Sequence, residues 1–164
     1  MGQASMSGKQ TVLMDQRGRI SFPAAYRAAI GELLFISPDQ KGRGYLIVRS
    51  EEGYKAELKR IEQECIEDGL DDEDTSDEVR DYAKDTSRIP PDKNGRITLV
   101  SALIEYAGLS DKVVVIGVGE YAELWDEDRL TAYEKQRAEL RARRRAKKDR
   151  EKAARLAALA EDEA

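Results

Sequence analysis

The chain is predicted to be an α+β protein in which two tandem βαβ-type units complete each other as a small pseudo-twofold β-barrel, with a charged helix after each unit and a long C-terminal helix. Three observations lead there. The segment Met14-Asp15-Gln16-Arg17-Gly18-Arg19-Ile20-Ser21-Phe22-Pro23 reappears as Pro91-Asp92-Lys93-Asn94-Gly95-Arg96-Ile97-Thr98-Leu99-Val100. Both copies then alternate polar and apolar residues, as half-buried strands do. Both halves end in stretches dominated by charged helix formers, Glu51 to Glu67 and Asp126 onward.

In chain order, residues 1–8 are small and polar and read as a flexible N-terminus. Residues 9–67 form the first unit with its helix, 68–85 an acidic connector, 86–133 the second unit and 134–164 a charged helical tail. Within a unit, aspartate and glycine at the first and fourth positions of the motif suit a tight turn. The carboxylate accepts local backbone N–H bonds, and glycine tolerates positive φ. Gly18 and Gly95 are therefore the turn formers, and Arg19 to Phe22 and Arg96 to Leu99 the strands that leave the turns. Pro23 fits a first helical position, Ser101 fits a cap, and Gly31 and Gly108 stand where glycine ends a helix. Leu33 to Ile36 and Tyr45 to Val48 read as strands, matched by Lys112 to Ile116 and Tyr121 to Trp125, with Gly117-Val118-Gly119 as a hairpin turn. Each copy thus reads β-turn-β-α-β-β-α. A unit below about fifty residues buries too little apolar surface to stand alone, so the halves are expected to intertwine and present both turns on one face.

The connector from Asp68 to Asp77 is too charged and too poor in apolar residues to fold by itself, and a solvated loop is expected. A calcium loop is the sharp alternative, and it fits poorly because the acids are contiguous and Gly69 is misplaced for an EF-hand. In the tail, Glu127 and Asp128 suit the positive end of the helix dipole, and Leu130, Tyr133 and Leu140 can dock its first turns. Arg137, Arg141, Arg144, Lys148, Lys152 and Arg155 follow spacings of three and four and share a face. Two readings stand side by side: a solvated helix with Glu139–Arg143 and Glu151–Arg155 pairs, or a face that binds phosphate or a partner.

Composition narrows the function. There is no histidine, so imidazole-based triads, imidazole metal sites and imidazole pH switches are out of reach. The single cysteine, Cys65, can form neither an internal disulfide nor a zinc knuckle and suits a reducing compartment. The longest apolar run, near Val113 to Ile116, is far short of the ~20 residues of a membrane helix, and the start shows no basic or apolar leader pattern. A soluble intracellular protein is expected. The D-x-x-G spacing also occurs in GTPases, but no G-x-x-x-x-G-K-[ST] sequence accompanies it. No buried acid–base pair with a nucleophile can be assembled, so no enzyme, no cofactor and no metal are expected.

The net charge of −5 conceals a segregation. In the first fifty residues Lys9, Arg17, Arg19, Arg27, Lys41, Arg43 and Arg49 outnumber Asp15, Glu32 and Asp39, whereas Glu62 to Glu78 carries acids and no base. Arginines held on rigid turns by a neighbouring aspartate lose little freedom on binding and can reach phosphate or a guanine edge. Asp15, Arg17, Arg19, Asp92, Lys93 and Arg96 are therefore the candidate DNA-binding residues. From the residues alone, local ion pairs that merely stabilise the turns remain the open alternative.

The pair Asp15-Gln-Arg-Gly-Arg19 and Asp92-Lys-Asn-Gly-Arg96, each opening a strand-helix-glycine unit, stands with Val114-Val-Ile-Gly-Val-Gly-Glu-Tyr-Ala-Glu-Leu-Trp125. Together they resemble the MraZ family, within the AbrB-like swapped-hairpin barrels, over Lys9 to Tyr133. The resemblance implies tandem AbrB-like units, ring-shaped homo-oligomers, and regulation of transcription at direct repeats upstream of the division and cell-wall gene cluster, its own gene included. It also places Asp15, Arg19, Asp92 and Arg96 at the D-x-x-x-R positions implicated in DNA binding. The chain departs from the family at Val100, where proline is usual, at Arg17 and Asn94, where lysine is usual, and at Pro90-Pro91. Asn94 removes a cation from the second turn, which is expected to bind less strongly or to serve the fold. The expected partners are double-stranded DNA and further copies of the chain, in the cytoplasm at the nucleoid, with no membrane. A protein partner for the acidic connector or the C-terminal helix fits two alternatives, an oligomeric interaction scaffold and an AbrB-like antitoxin.

Overall fold

The computed structural model describes residues 5–163. The first half runs β1 (Lys9–Leu13), β2 (Arg19–Ser21), α1 (Ala24–Ile30), β3 (Leu34–Pro38), β4 (Leu46–Arg49) and α2 (Glu51–Glu67). After α3 (Asp72–Lys84), the second half repeats the pattern as β5 (Ser87–Ile89), β6 (Arg96–Thr98), α4 (Ser101–Ala107), β7 (Lys112–Val118), β8 (Tyr121–Asp126) and α5 (Glu127–Asp162). The first short helix begins one residue later than expected, with Pro23 as its N-cap, and the second one residue earlier, with Val100 as N-cap and Ser101 inside the helix; they end at Gly31 and Gly108.

The halves interlock by exchanging strands. β1 pairs with β7 of the second half, β5 pairs with β3 of the first, and β4 meets β8 in the middle. The resulting order, β1-β7-β8-β4-β3-β5, reads the same from either end when the halves are exchanged. The pseudo-twofold passes through the facing pair Ile47 and Glu123, and again through Ile20 and Ile97 in a separate ribbon formed by β2 and β6. Interlocking pools the apolar side chains. Ile20, Phe22, Leu34, Ile36, Leu46 and Val48 of one half join Ile97, Leu103, Val113, Val115 and Leu124 of the other in one core, which a single half could not assemble.

The expected barrel is not closed. The six-stranded sheet is open, with β1 and β5 at its edges, and the β2–β6 ribbon carries its own ladder. After β1 and β5 the chain turns sharply into the ribbon, whose end groups bond across it: Phe22 N–H donates to the Gly95 carbonyl (3.2 Å) and Leu99 N–H to that of Gly18 (2.9 Å). Pro90 and Pro91, which lack N–H donors, follow directly on β5 and stop its pairing.

The acidic connector is also corrected. Instead of a loop, most of it is α3. The Asp71 carboxylate caps the helix by accepting from Asp74 N–H (2.8 Å), and Asp72, Glu73 and Asp74 occupy the first turn, where the dipole favours negative charge. Tyr82 and Val79 of α3, with Leu70, then pack on Ile61, Cys65, Tyr54 and Leu58 of α2. Tyr54 stacks between Phe35 of the sheet and Tyr82, and Arg49 Nη1 donates to the Tyr82 hydroxyl (2.9 Å). Tertiary contact at a few apolar positions outweighs the polar composition.

Of the expected flexible N-terminus, residues 1–4 lie outside the described residues. Met6 is buried and exchanges backbone hydrogen bonds with Gly119, and the Tyr26 hydroxyl donates to the carbonyls of Ser7 and Gly8.

The chain divides into two units at Glu127 and Asp128. In the second unit, α5 continues unbroken and every described residue from Ala138 onward is exposed. Neither the Glu139–Arg143 nor the Glu151–Arg155 pair forms. In water such pairs gain only tenths of a kcal/mol against side-chain entropy. No described helix is long and apolar enough to cross a membrane.

Candidate nucleic-acid interface

Each motif folds into the same hydrogen-bonded turn. Asp15 Oδ1 accepts from the backbone N–H of Arg17 and of Arg19, both at 2.9 Å, while Oδ2 accepts from Arg19 Nε at 2.7 Å. Asp92 Oδ1 accepts from Asn94 N–H (2.8 Å) and Arg96 N–H (3.0 Å), and Oδ2 from Arg96 Nε (3.2 Å). Gly18 and Gly95 donate to the carbonyls of Asp15 and Asp92, and both hold φ at 78°, the left-handed region that other residues avoid. Backbone N–H donation, led by Arg19 at the first turn and by Arg96 at the second, holds both carboxyls below their ordinary value of 3.8. The aspartates are thus fixed anions whose work is to shape the turn and aim the arginine.

The ribbon decides where those arginines point. Ile20 and Ile97 face each other at its centre and are buried, so the alternate residues Arg19, Ser21, Arg96 and Thr98 lie on its outer face. Arg19 stands opposite Thr98 and Arg96 opposite Ser21, which makes the two arginines diagonal neighbours with Cα atoms about 7–8 Å apart. Each keeps a partly exposed side chain, 31% at Arg19 and 40% at Arg96, beyond its aspartate contact. Arg17 and Lys93 are exposed in the two turns, and among the described residues their side chains have no ion pair or hydrogen bond. The six candidate residues are therefore gathered around one ribbon, with two guanidiniums on its face and one further cation in the turn at each end.

The sequence reading missed Arg27. Its guanidinium, carried on α1 of the first half, lies directly over Gly95 of the second turn. At the first turn the equivalent neighbour is Ile104. The repeat held a signal, since Arg27 follows Pro23 at the same interval as Ile104 follows Val100, and the two copies differ there in charge.

Among the described residues, no group of three or more histidine, cysteine or acidic side chains is placed to hold a metal ion. The carboxylates of Asp15 and Asp92 are committed to their own turns.

Comparison with known proteins identifies relatives of the chain. Residues 83–153 match a family model described as "MraZ protein, putative antitoxin-like". The chain is 33% identical over 126 residues to the protein named transcriptional regulator MraZ of Paenarthrobacter aurescens, covering 77% of this chain and 84% of that one. It is 32% identical to that of Arthrobacter sp. with the same coverage, and 31% identical to that of Bifidobacterium longum, of which it covers 80%.

Proposed function

The chain belongs to the MraZ family and is a transcriptional regulator of that type, and from this premise we propose how it engages DNA. The outer face of the β2–β6 ribbon, with the turn at each end, lies on double-stranded DNA. Arg19 and Arg96 approach base edges or phosphates, and Arg17 and Lys93 contact the backbone. A two-stranded ribbon is narrow enough to enter the major groove, and a guanidinium already aimed by its aspartate gives up little entropy when it binds. One observation carries the reading: two independently encoded turns aim their arginines onto one exposed ribbon face whose opposite face is the core.

The DNA target is a set of promoter repeats of the division and cell-wall gene cluster, including the regulator's own gene. Copies of the chain assemble as a ring at the nucleoid, so that individually weak contacts add by avidity. The relatives are named as regulators and not as enzymes, and the same class is proposed here, without catalysis or cofactor.

The test is charge reversal. The double variant Arg19→Glu, Arg96→Glu is expected to abolish retardation of repeat-containing DNA while its oligomer profile on a sizing column stays that of the parent. Undiminished binding by that variant rules out the ribbon face. Binding by the parent chain should fall linearly in log K against log salt, at about 0.9 per phosphate neutralised.

A second reading, an interaction scaffold, is favoured by one feature: α3 and the end of α2 expose Glu64, Asp68, Glu78 and Asp81 around a groove. A scaffold would hold its protein partner after the charge reversal.

A further inference from the structure

The halves place chemically different side chains at one equivalent position. Arg27 donates its backbone N–H to the Pro23 carbonyl at 3.0 Å, and Ile104 donates to that of Val100 at 3.2 Å. Each side chain reaches the turn of the opposite half. Ile104 Cδ1 lies 2.8 Å from the point a Cβ on Gly18 would occupy, and the Arg27 guanidinium fills the corresponding place over Gly95. An apolar group closes the first site, and a cation closes the second.

Three features set this cation apart from a packing residue. Among the described residues its side chain makes no ion pair and no hydrogen bond. Its Nε is sealed from solvent without an acceptor, so an anion it takes must meet Nη1 and Nη2, which lie over Gly95. And the turn beneath it, with Lys93 and Asn94 where the first has Gln16 and Arg17, already holds one loop cation as the first does, so Arg27 is an addition with no counterpart at the first turn. A half-buried guanidinium without a counter-ion, lying over the turn that also carries exposed Lys93 and leads into partly exposed Arg96, has the chemistry of a phosphate site, and its planar fork suits two phosphate oxygens.

We propose that Arg27 is the third cation of the second turn and grips one backbone phosphate of bound DNA, so that the first half gives the second turn one cation more than the first turn carries. The proposal rests on the ribbon face being the DNA surface. It replaces the expectation of a weaker second turn with two turns that hold phosphate by different means.

The test is Arg27→Ile, which installs the residue of the equivalent position and retains packing over Gly95, with Arg27→Gln and Arg27→Lys beside it. Circular dichroism and melting verify folding. The Ile and Gln variants are expected to bind specific and scrambled DNA more weakly by similar factors, with a salt slope shallower by about 0.9 per engaged protomer. Arg27→Lys should keep the parental slope. On duplexes bearing one neutral methylphosphonate, a single position should weaken the parent and leave Arg27→Ile unaffected. A parental slope in a folded Ile or Gln variant, or an Arg27→Ile protein still sensitive at every methylphosphonate, overturns the assignment. Arg19→Glu separates the two levels. If it abolishes binding while Arg27→Ile is neutral, only the role of Arg27 falls. If both are neutral, the ribbon reading falls with it.

Discussion

The first and second turns share a backbone down to individual hydrogen bonds and differ in almost everything that touches it. In both, one carboxylate collects two backbone N–H groups and an arginine Nε, and a glycine sits at φ 78°. Around the first stand Arg17 and Ile104; around the second stand Lys93, Asn94 and Arg27. The lesson is a division of labour. The D-x-x-G-R pattern is self-sufficient for turn geometry because its hydrogen bonds are local. The charge each turn offers is set by residues outside the pattern, one of them from the opposite half.

The largest expected break of the likeness comes at the glycines. Gly18→Ala and Gly95→Ala each force a side chain into the left-handed region, at about 1–2 kcal/mol, enough to lower the melting temperature by several degrees. Gly18→Ala should lose the more stability, because its Cβ presses on Ile104 and on the backbone carbonyl of Leu99, whereas at Gly95 it meets the movable end of Arg27. The two should also part in DNA binding, because the new Cβ at Gly95 displaces the Arg27 guanidinium, whereas at Gly18 it meets Ile104 and the Leu99 carbonyl at 3.1 Å. Equal losses of affinity, measured where both variants are folded, would contradict the asymmetry.

A smaller effect sharpens the shared part. Both aspartates have folded pKa values below their ordinary 3.8, so their stabilisation is present above the unfolded pKa and disappears as pH falls through the folded one. Asp15→Asn and Asp92→Asn should therefore each melt below the parent at neutral pH, by closely similar amounts, begin to converge with it as pH falls below about 4, and meet it only below the folded pKa. A thermal melt at a series of pH values reads this directly. Unequal drops would show that the neighbours, and not the local network, hold the turns.

The smallest effect is expected at the tail. Every described residue from Ala138 onward is exposed, so deleting Arg141 to Ala164 should leave the melting temperature of the strand-bearing unit unchanged within a degree or so. Site-specific retardation of repeat DNA should survive as well. Loss of that specificity on truncation would move the recognition surface away from the ribbon.

Much of the fold was legible because its signals are local. The repeated motif, the alternation through Ile20 and Ile97, and the terminating Gly31 and Gly108 each act within a few residues, and they yielded the order of elements and the six candidate residues. The acidic segment misled for the opposite reason. A run such as Asp71 to Asp77 looks unfoldable by composition, yet its first acids cap a helix, and only Val79 and Tyr82 need to dock. Arg27 was hidden because its partner, Gly95, lies in the other half of the chain.

The amino-acid sequence by itself determined the two turns, their paired aspartate and arginine, and the need for each half to find a partner, since those follow from short-range hydrogen bonding and from how little a single unit can bury. The tertiary structure alone decided that the sheet stays open, that Arg19 and Arg96 become diagonal neighbours, and that Arg27 comes to rest on Gly95. Those outcomes depend on strand exchange between distant segments, and the register of that exchange is settled by how the pooled core packs.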